Sequence, residues 1–263
     1  MKSVTSKDGT TIAFDQSGAG PALILIHGAF LYRATDQNMA QLAALLSPHF
    51  TVFHYDRRGR GESGDMQPFA VQREVEDIEA LVDEAGGSAF LYGISSGAAL
   101  AMEAVIELPD KIKKLAMYEV PYKSDEAGRQ SWREYRQKLK EALAADCRGD
   151  AAALFLTLVG MPADQVDQMR REPWWAAFES VAPTLAYDAA VLGDERVIPT
   201  EKAARVAVPA LVMNGGASEA FMYDTALALA KAMPNAQHRT LEGQTHAVAA
   251  EALAPVLMRF FAD

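Results

Sequence analysis

Ser95 lies at the centre of Gly93-Ile94-Ser95-Ser96-Gly97, between the apolar run Ala89-Phe90-Leu91-Tyr92 and the small-residue run Ala98-Ala99-Leu100-Ala101. This order predicts a strand, a sharp turn and an immediate helix, with glycines that let neighbouring segments approach closely. A serine on such a turn presents its Oγ and is a candidate nucleophile. The next residue, Ser96, opens the helix, where unbonded N–H groups and the helix dipole favour a developing oxyanion. A serine hydroxyl is a weak nucleophile at neutral pH and needs a base within hydrogen-bond reach. The candidate base is His246 in Glu242-Gly243-Gln244-Thr245-His246, between the last predicted strand (Ala236 to Leu241) and the C-terminal helix. Serine first and histidine last is the chain order expected when the two meet above the C-terminal edge of a sheet. A second oxyanion donor is expected from His27-Gly28-Ala29-Phe30, where the glycine permits close approach and the Ala29 N–H would point into the site.

These residues need a scaffold, and the apolar pattern supplies one. Thr10–Phe14 follows an Asp8-Gly9 turn and predicts an opening β-hairpin. Ala22–Ile26 is an uninterrupted apolar run suited to a strand buried on both faces, and similar runs recur at Thr51–His54, Ala89–Tyr92, Lys114–Tyr118 and Pro209–Met213. Between them, Val71, Val75, Ile78, Val82 and Ala85 recur at helical spacing behind Pro68, which suits a first-turn position. Strands alternating with amphipathic helices predict an α/β fold with a mainly parallel sheet covered on both faces. The alternation stops between about Tyr122 and Pro199, where helical stripes follow one another: Trp132, Tyr135, Leu139 and Leu143; Leu154, Phe155, Leu158 and Val159; Trp174, Trp175 and Phe178. The expected organisation is a core from residues 1–121 and 200–263, interrupted by a helical cap over 122–199.

Composition narrows the function classes. Half of the 263 residues are apolar and the formal net charge is −10, so no basic face is expected for nucleic acid or anionic lipid. Cys147 is the lone cysteine, which excludes an intramolecular disulfide and a cysteine metal site. The first residues lack the apolar core of a signal peptide, and no apolar run nears the ~20 residues of a membrane span, so a cytoplasmic location is expected. Oligomeric state is not legible.

His27-Gly28, Asp56-Arg57-Arg58-Gly59-Arg60-Gly61-Glu62-Ser63, the Gly93–Gly97 turn and the Gly243–His246 loop together resemble the alpha/beta-hydrolase fold superfamily, in particular its small esterase, lactonase and carbon–carbon hydrolase branches. The resemblance implies an eight-stranded sheet, a serine–acid–histidine triad and no metal. It also exposes a departure. The acid usually follows the penultimate strand, but Met213-Asn214-Gly215-Gly216-Ala217-Ser218-Glu219 carries Ser218 in that slot. Some members place the acid one strand earlier, where Met117-Tyr118-Glu119-Val120-Pro121 supplies Glu119. Glu119 is the favoured acid, Glu219 the competitor, and an acid-free dyad the remaining alternative.

Gly59-Arg60-Gly61-Glu62-Ser63-Gly64 also satisfies the dinucleotide-binding pattern G-x-G-x-x-G. Tyr55–Arg58 intervenes before its glycines and Met66-Gln67-Pro68 delays the helix, so no helix N-terminus is expected at a pyrophosphate. Arg57, Arg58 and Arg60 are expected to pair with the nearby Asp56, Glu62 and Asp65. The expectation is therefore a cofactor-free serine hydrolase for a small, apolar carbonyl substrate, with Phe30, Trp174, Trp175 and Met161 as candidate pocket walls. Carbon–carbon hydrolysis or acyl transfer on the same residues, and a binding protein with little turnover, are the rivals.

Overall fold

In the computed structural model, which describes residues 2–262, eight strands form one sheet in the order β1-β2-β4-β3-β5-β6-β7-β8. They are β1 (Lys2–Thr5), β2 (Thr11–Ser17), β3 (Ala22–Ile26), β4 (Thr51–Tyr55), β5 (Ala89–Ile94), β6 (Ile112–Tyr118), β7 (Ala210–Gly215) and β8 (Ala236–Leu241). The hairpin β1–β2 is antiparallel, as is β2 against β4, and every other pairing is parallel. All five residues of β3 are buried, which is why this strand reads as an unbroken apolar run.

Helices cover both faces. α1 (Gln37–Leu46) and α11 (Ala250–Ala262) pack together on one side, over a core containing Leu23, Leu25, Tyr92, Ala116 and Tyr118. On the other side α2 (Val71–Glu84), α3 (Ser96–Glu107) and α10 (Ala220–Ala232) cover Ile24, Ile26, Leu91, Leu115 and Met117. The alternation of these two sets along β3, β5 and β6 is the two-residue period of a strand. α2 begins at Val71 with Ala70 as its N-cap, so Pro68 stands in the preceding loop instead of the first turn.

Between β6 and β7 the chain leaves the sheet through α4 (Glu126–Ala144), α5 (Arg148–Leu158), α6 (Ala163–Met169), α7 (Trp175–Val181), a 3-10 turn (Ala182–Thr184) and α8 (Leu185–Leu192), returning by α9 (Thr200–Ala203). α8 rests on α3 and joins this helical excursion to the core. Among the described residues no helix is long and apolar enough to cross a membrane.

Candidate active site

Register brings the chemistry together. Ile26 pairs with Gly93, Ile94 with Tyr118, Tyr118 with Met213, and Gly215 with Leu241. The loops that leave β3, β5, β6, β7 and β8 therefore emerge at one edge of the sheet, the C-terminal edge, where open α/β sheets place their ligands. Those loops carry Ala29, Ser95, Glu119, Ser218 and His246.

Ser95 has φ 57° and ψ −129°, a conformation seldom adopted by residues with a side chain and one that costs about 1–3 kcal/mol. Its surroundings enforce it. The Ser95 N–H donates to Tyr118 O at 2.9 Å, and its carbonyl accepts from the Ala98 N–H at 3.0 Å, closing the first turn of α3. A Cβ on Gly93 would stand 2.4 Å from Gly97 O, and one on Gly97 would stand 2.3 Å from His27 O, so only glycine fits either position. Gly28 lies against the same turn: a Cβ there would meet Ser95 Cβ at 3.0 Å and Oγ at 3.6 Å. The two candidate oxyanion loops, Gly28-Ala29 and Ser95-Ser96, are thus in direct contact. Phe30, next in the first loop, is itself left-handed (φ 65°).

Glu119 follows β6, also with positive φ (47°). Its N–H is held by Met213 O at 3.0 Å, its Oε1 accepts from the Gly215 N–H at 2.7 Å, and its Oε2 lies 2.8 Å from His246 Nδ1. Glu119 is 1% exposed. Burial alone would raise its pKa, but the His246 ring, the Ser218 hydroxyl alongside and the Gly215 amide outweigh it and hold the carboxyl below its ordinary range. An ionised Glu119 is an acceptor only, which assigns the proton to His246 Nδ1 and leaves Nε2 to accept from a substrate or nucleophile. The His246 loop is pinned on its inner side by the Tyr118 hydroxyl, which donates to Thr245 O at 2.7 Å. Gly215 permits this approach, since a Cβ there would lie 2.3 Å from Gln244 O.

Glu219, the competing acid, is the exposed N-cap of α10, and its side chain makes no hydrogen bond among the described residues. Ser95 Oγ likewise makes none, so both it and the outer nitrogen of His246 are open. Such contacts commonly tighten only when substrate is bound.

The wall residues separate. Phe30 is buried and meets Phe155 and Phe178 edge-on at ring-centre distances of 5.0 and 5.1 Å. Trp175 is turned into the packing between α5 and α7, with its indole N–H on Glu179 at 3.1 Å. Trp174 is 46% exposed and touches Phe178 from outside, while Met161 packs against the core at the end of α5. Phe155 and Phe178 were visible in the sequence only as members of helical stripes; their contact with Phe30 has no local signature.

The expected arginine pairs do not form. Arg57, Arg58 and Arg60 turn inward, to Glu74 and Asp188, to Asp77 and Asp8, and to Asp188. Arg33 takes Asp56 and Glu62, and the Tyr187 hydroxyl takes Asp65. The loop is tight: Gly59 N–H donates to Gly64 O, and a Cβ on Gly61 would lie 2.3 Å from Asp56 Oδ2. Glu62 and Asp65 face its outer side, and the buried Asp56 is taken inside it by the Glu62 N–H and by Arg33, leaving the three guanidinium groups to be neutralised by other carboxylates.

A strained serine between strand and helix, an acid–histidine pair on neighbouring strand ends and this sheet order define an alpha/beta hydrolase. A model of the alpha/beta hydrolase family matches residues 23–257, and the chain belongs to that family. It is 49% identical to an alpha/beta hydrolase from Sphaerobacter thermophilus, whose crystal structure superposes with a TM-score of 0.88 over 99% of this chain and all of the other. A putative esterase/lipase from Haemophilus influenzae is 26% identical over 88% of this chain and 78% of its own length. An enol-lactonase from Burkholderia xenovorans shares the fold, with a TM-score of 0.68 at 21% identity and full coverage of both chains.

Proposed function

We propose that this protein is a metal-independent serine hydrolase that cleaves a small, largely apolar carboxylic ester or lactone through an acyl-enzyme on Ser95. The observation that carries the reading is the 2.8 Å Glu119–His246 contact at the sheet edge that also holds the strained Ser95. Ser95 Oγ attacks the carbonyl carbon as its proton passes to His246 Nε2. The Ala29 and Ser96 N–H groups stabilise the oxyanion, and the Glu119 carboxylate stabilises the imidazolium. The imidazolium protonates the departing alkoxide as the tetrahedral adduct collapses. Water, deprotonated by the same histidine, then releases the acid and regenerates Ser95. The buried Phe30 ring, packed on Phe155 and Phe178, favours an apolar acyl group of limited size. The esterase/lipase and enol-lactonase names of two relatives agree with the ester and lactone classes.

A panel of short acyl esters and lactones, run beside Ser95→Ala and an organophosphonate probe, tests the reading. Turnover abolished in the variant and label on Ser95 support it. Undiminished ester turnover in Ser95→Ala overturns it. Binding of panel compounds without turnover would make the protein a receptor.

A further inference from the structure

Beneath the two oxyanion loops lies a buried ionic cluster in which Arg57 and Arg60 have essentially no exposure and Asp188, from α8, has 4%. Glu74 takes Arg57 Nε and Nη2 at 2.7 and 2.8 Å, so one carboxylate already neutralises that guanidinium in a bidentate pair. Asp188 does something further. Its Oδ1 accepts from the Ser96 hydroxyl at 2.7 Å and from Arg57 Nη1 at 2.8 Å, while Oδ2 accepts from Arg60 Nη2 at 2.7 Å. Arg60 Nη1 in turn donates to Gly28 O at 2.5 Å, and Arg57 Nη1 to His27 O at 3.2 Å.

Gly28 O belongs to the same planar peptide unit as the Ala29 N–H. In a trans peptide the two point in opposite directions, so fixing the carbonyl aims the amide. A guanidinium on the carbonyl also polarises that unit and strengthens its N–H as a donor. On the other loop, the Ser96 hydroxyl ties down the residue whose own N–H is the second donor. Both donors are therefore anchored, from behind, to one carboxylate that comes from the helical excursion rather than from the sheet.

We infer that Asp188 is a positioning residue: it sets the Ser96 donor directly and the Ala29 donor through Arg60, so that the oxyanion site is assembled only when α8 is seated. This rests on the serine hydrolase reading. Losing one oxyanion donor costs about 10²–10³ in kcat, and misplacement of about 1 Å costs about 10².

The test compares the parent enzyme with Asp188→Asn, Ser96→Ala and the double variant, using a chromogenic short-chain ester, the rate of phosphonate labelling at Ser95, and thermal unfolding. Ser96→Ala deletes only the hydroxyl link and leaves the backbone donor and every ion pair, so it keeps the test decisive if the Asp188 variant does not fold. Expected are a kcat about 10-fold lower in Ser96→Ala and about 100-fold lower in Asp188→Asn. KM should stay within twofold, and the double variant should be no worse than Asp188→Asn alone. Full kcat in a folded Asp188→Asn overturns the inference, as does full kcat in Ser96→Ala. A loss that moves KM and melting temperature together with kcat means a purely structural role and also overturns it. If the parent is labelled at Ser95 and turns over ester in those cases, only this inference fails. If the parent neither labels nor turns over, the functional reading fails with it.

Discussion

Glu119 Oε2 and His246 Nδ1 meet at 2.8 Å although 127 residues of chain separate them. The contact depends on two strand ends in register, on Met213 O holding the Glu119 amide, and on the Tyr118 hydroxyl holding the histidine loop. Replacing the carboxylate by an amide preserves the shape but allows the wrong histidine tautomer, at a cost of up to ~10⁴ in turnover. Glu119→Gln is expected to lose orders of magnitude in kcat, while Glu219→Gln, at the exposed N-cap of α10, stays within severalfold of the parent. Steady-state ester kinetics decide it; the opposite ranking transfers the role to Glu219, and near-full activity in both leaves a Ser95–His246 dyad.

Ser95→Ala is expected to lower turnover by at least ~10³ and to abolish phosphonate labelling, because binding and oxyanion stabilisation cannot replace nucleophilic attack. Peptide mapping of the labelled parent locates the adduct. Label on Ser96 would reassign the nucleophile.

Gly97→Ala would bring a Cβ to 2.3 Å from His27 O and 2.5 Å from Ile26 O, both backbone atoms that cannot swing aside. The expected destabilisation exceeds the ~1 kcal/mol typical of point changes, with loss of ester turnover. Denaturant unfolding measures it, and a midpoint equal to the parent's would contradict the packing described for the turn.

Beneath the sheet edge, His54 Nε2 lies 2.8 Å from His27 Nε2, and His27 Nδ1 lies 3.1 Å from Asp36 Oδ2. Burial, and then the neighbouring His27 ring, push the His54 pKa down to about 4, against the smaller opposing pull of Asp36 and Asp56. The unfolded chain binds this proton near pH 6.5 and the native protein near 4. The contribution is therefore complete above pH 6.5 and is lost as pH falls towards 4, by up to about 3 kcal/mol. Unfolding curves at pH 7 and 4.5 should show a smaller acid loss in His54→Gln than in the parent. Equal losses would remove His54 from the account.

The Gly59–Gly64 loop closes on itself through Gly59 N–H and Gly64 O, and α2 begins only at Val71. Calorimetry with NAD or NADP should therefore give no binding heat. Micromolar binding abolished by Gly61→Val would contradict this geometry.

The central sheet was legible because a strand buried on both faces reads as an apolar run: Ala22–Ile26 coincides with β3, whereas the edge strand β8, also found at its expected Ala236–Leu241, mixes polar and apolar residues. β6 starts at Ile112, two residues before the Lys114–Tyr118 run, since the exposed Lys113 breaks the apolar pattern. The Ser95 turn, Ala29 and His246 were legible because each follows a strand that ends at the same edge. Asp188 was not. It is one of 35 acidic residues, and its partners Ser96, Arg57 and Arg60 lie 92 to 131 positions away. The three arginines misled for the same reason, since nearness in sequence says nothing about which side of a tight loop a long side chain takes. The Phe30–Phe155–Phe178 contact, too, depends on how α5 and α7 lie over the sheet, which helical periodicity does not encode.

Glu119 is the last residue held by the sheet before the chain departs through Val120, Pro121 and Tyr122 into α4. An acid on the β7 loop would be insulated from whatever is inserted between β6 and β7. Here the residue facing the histidine is also the doorpost of the insertion. Exchanging the helical region as a cassette, in a laboratory graft or in descent, therefore has to splice beyond Glu119 and respect its left-handed backbone.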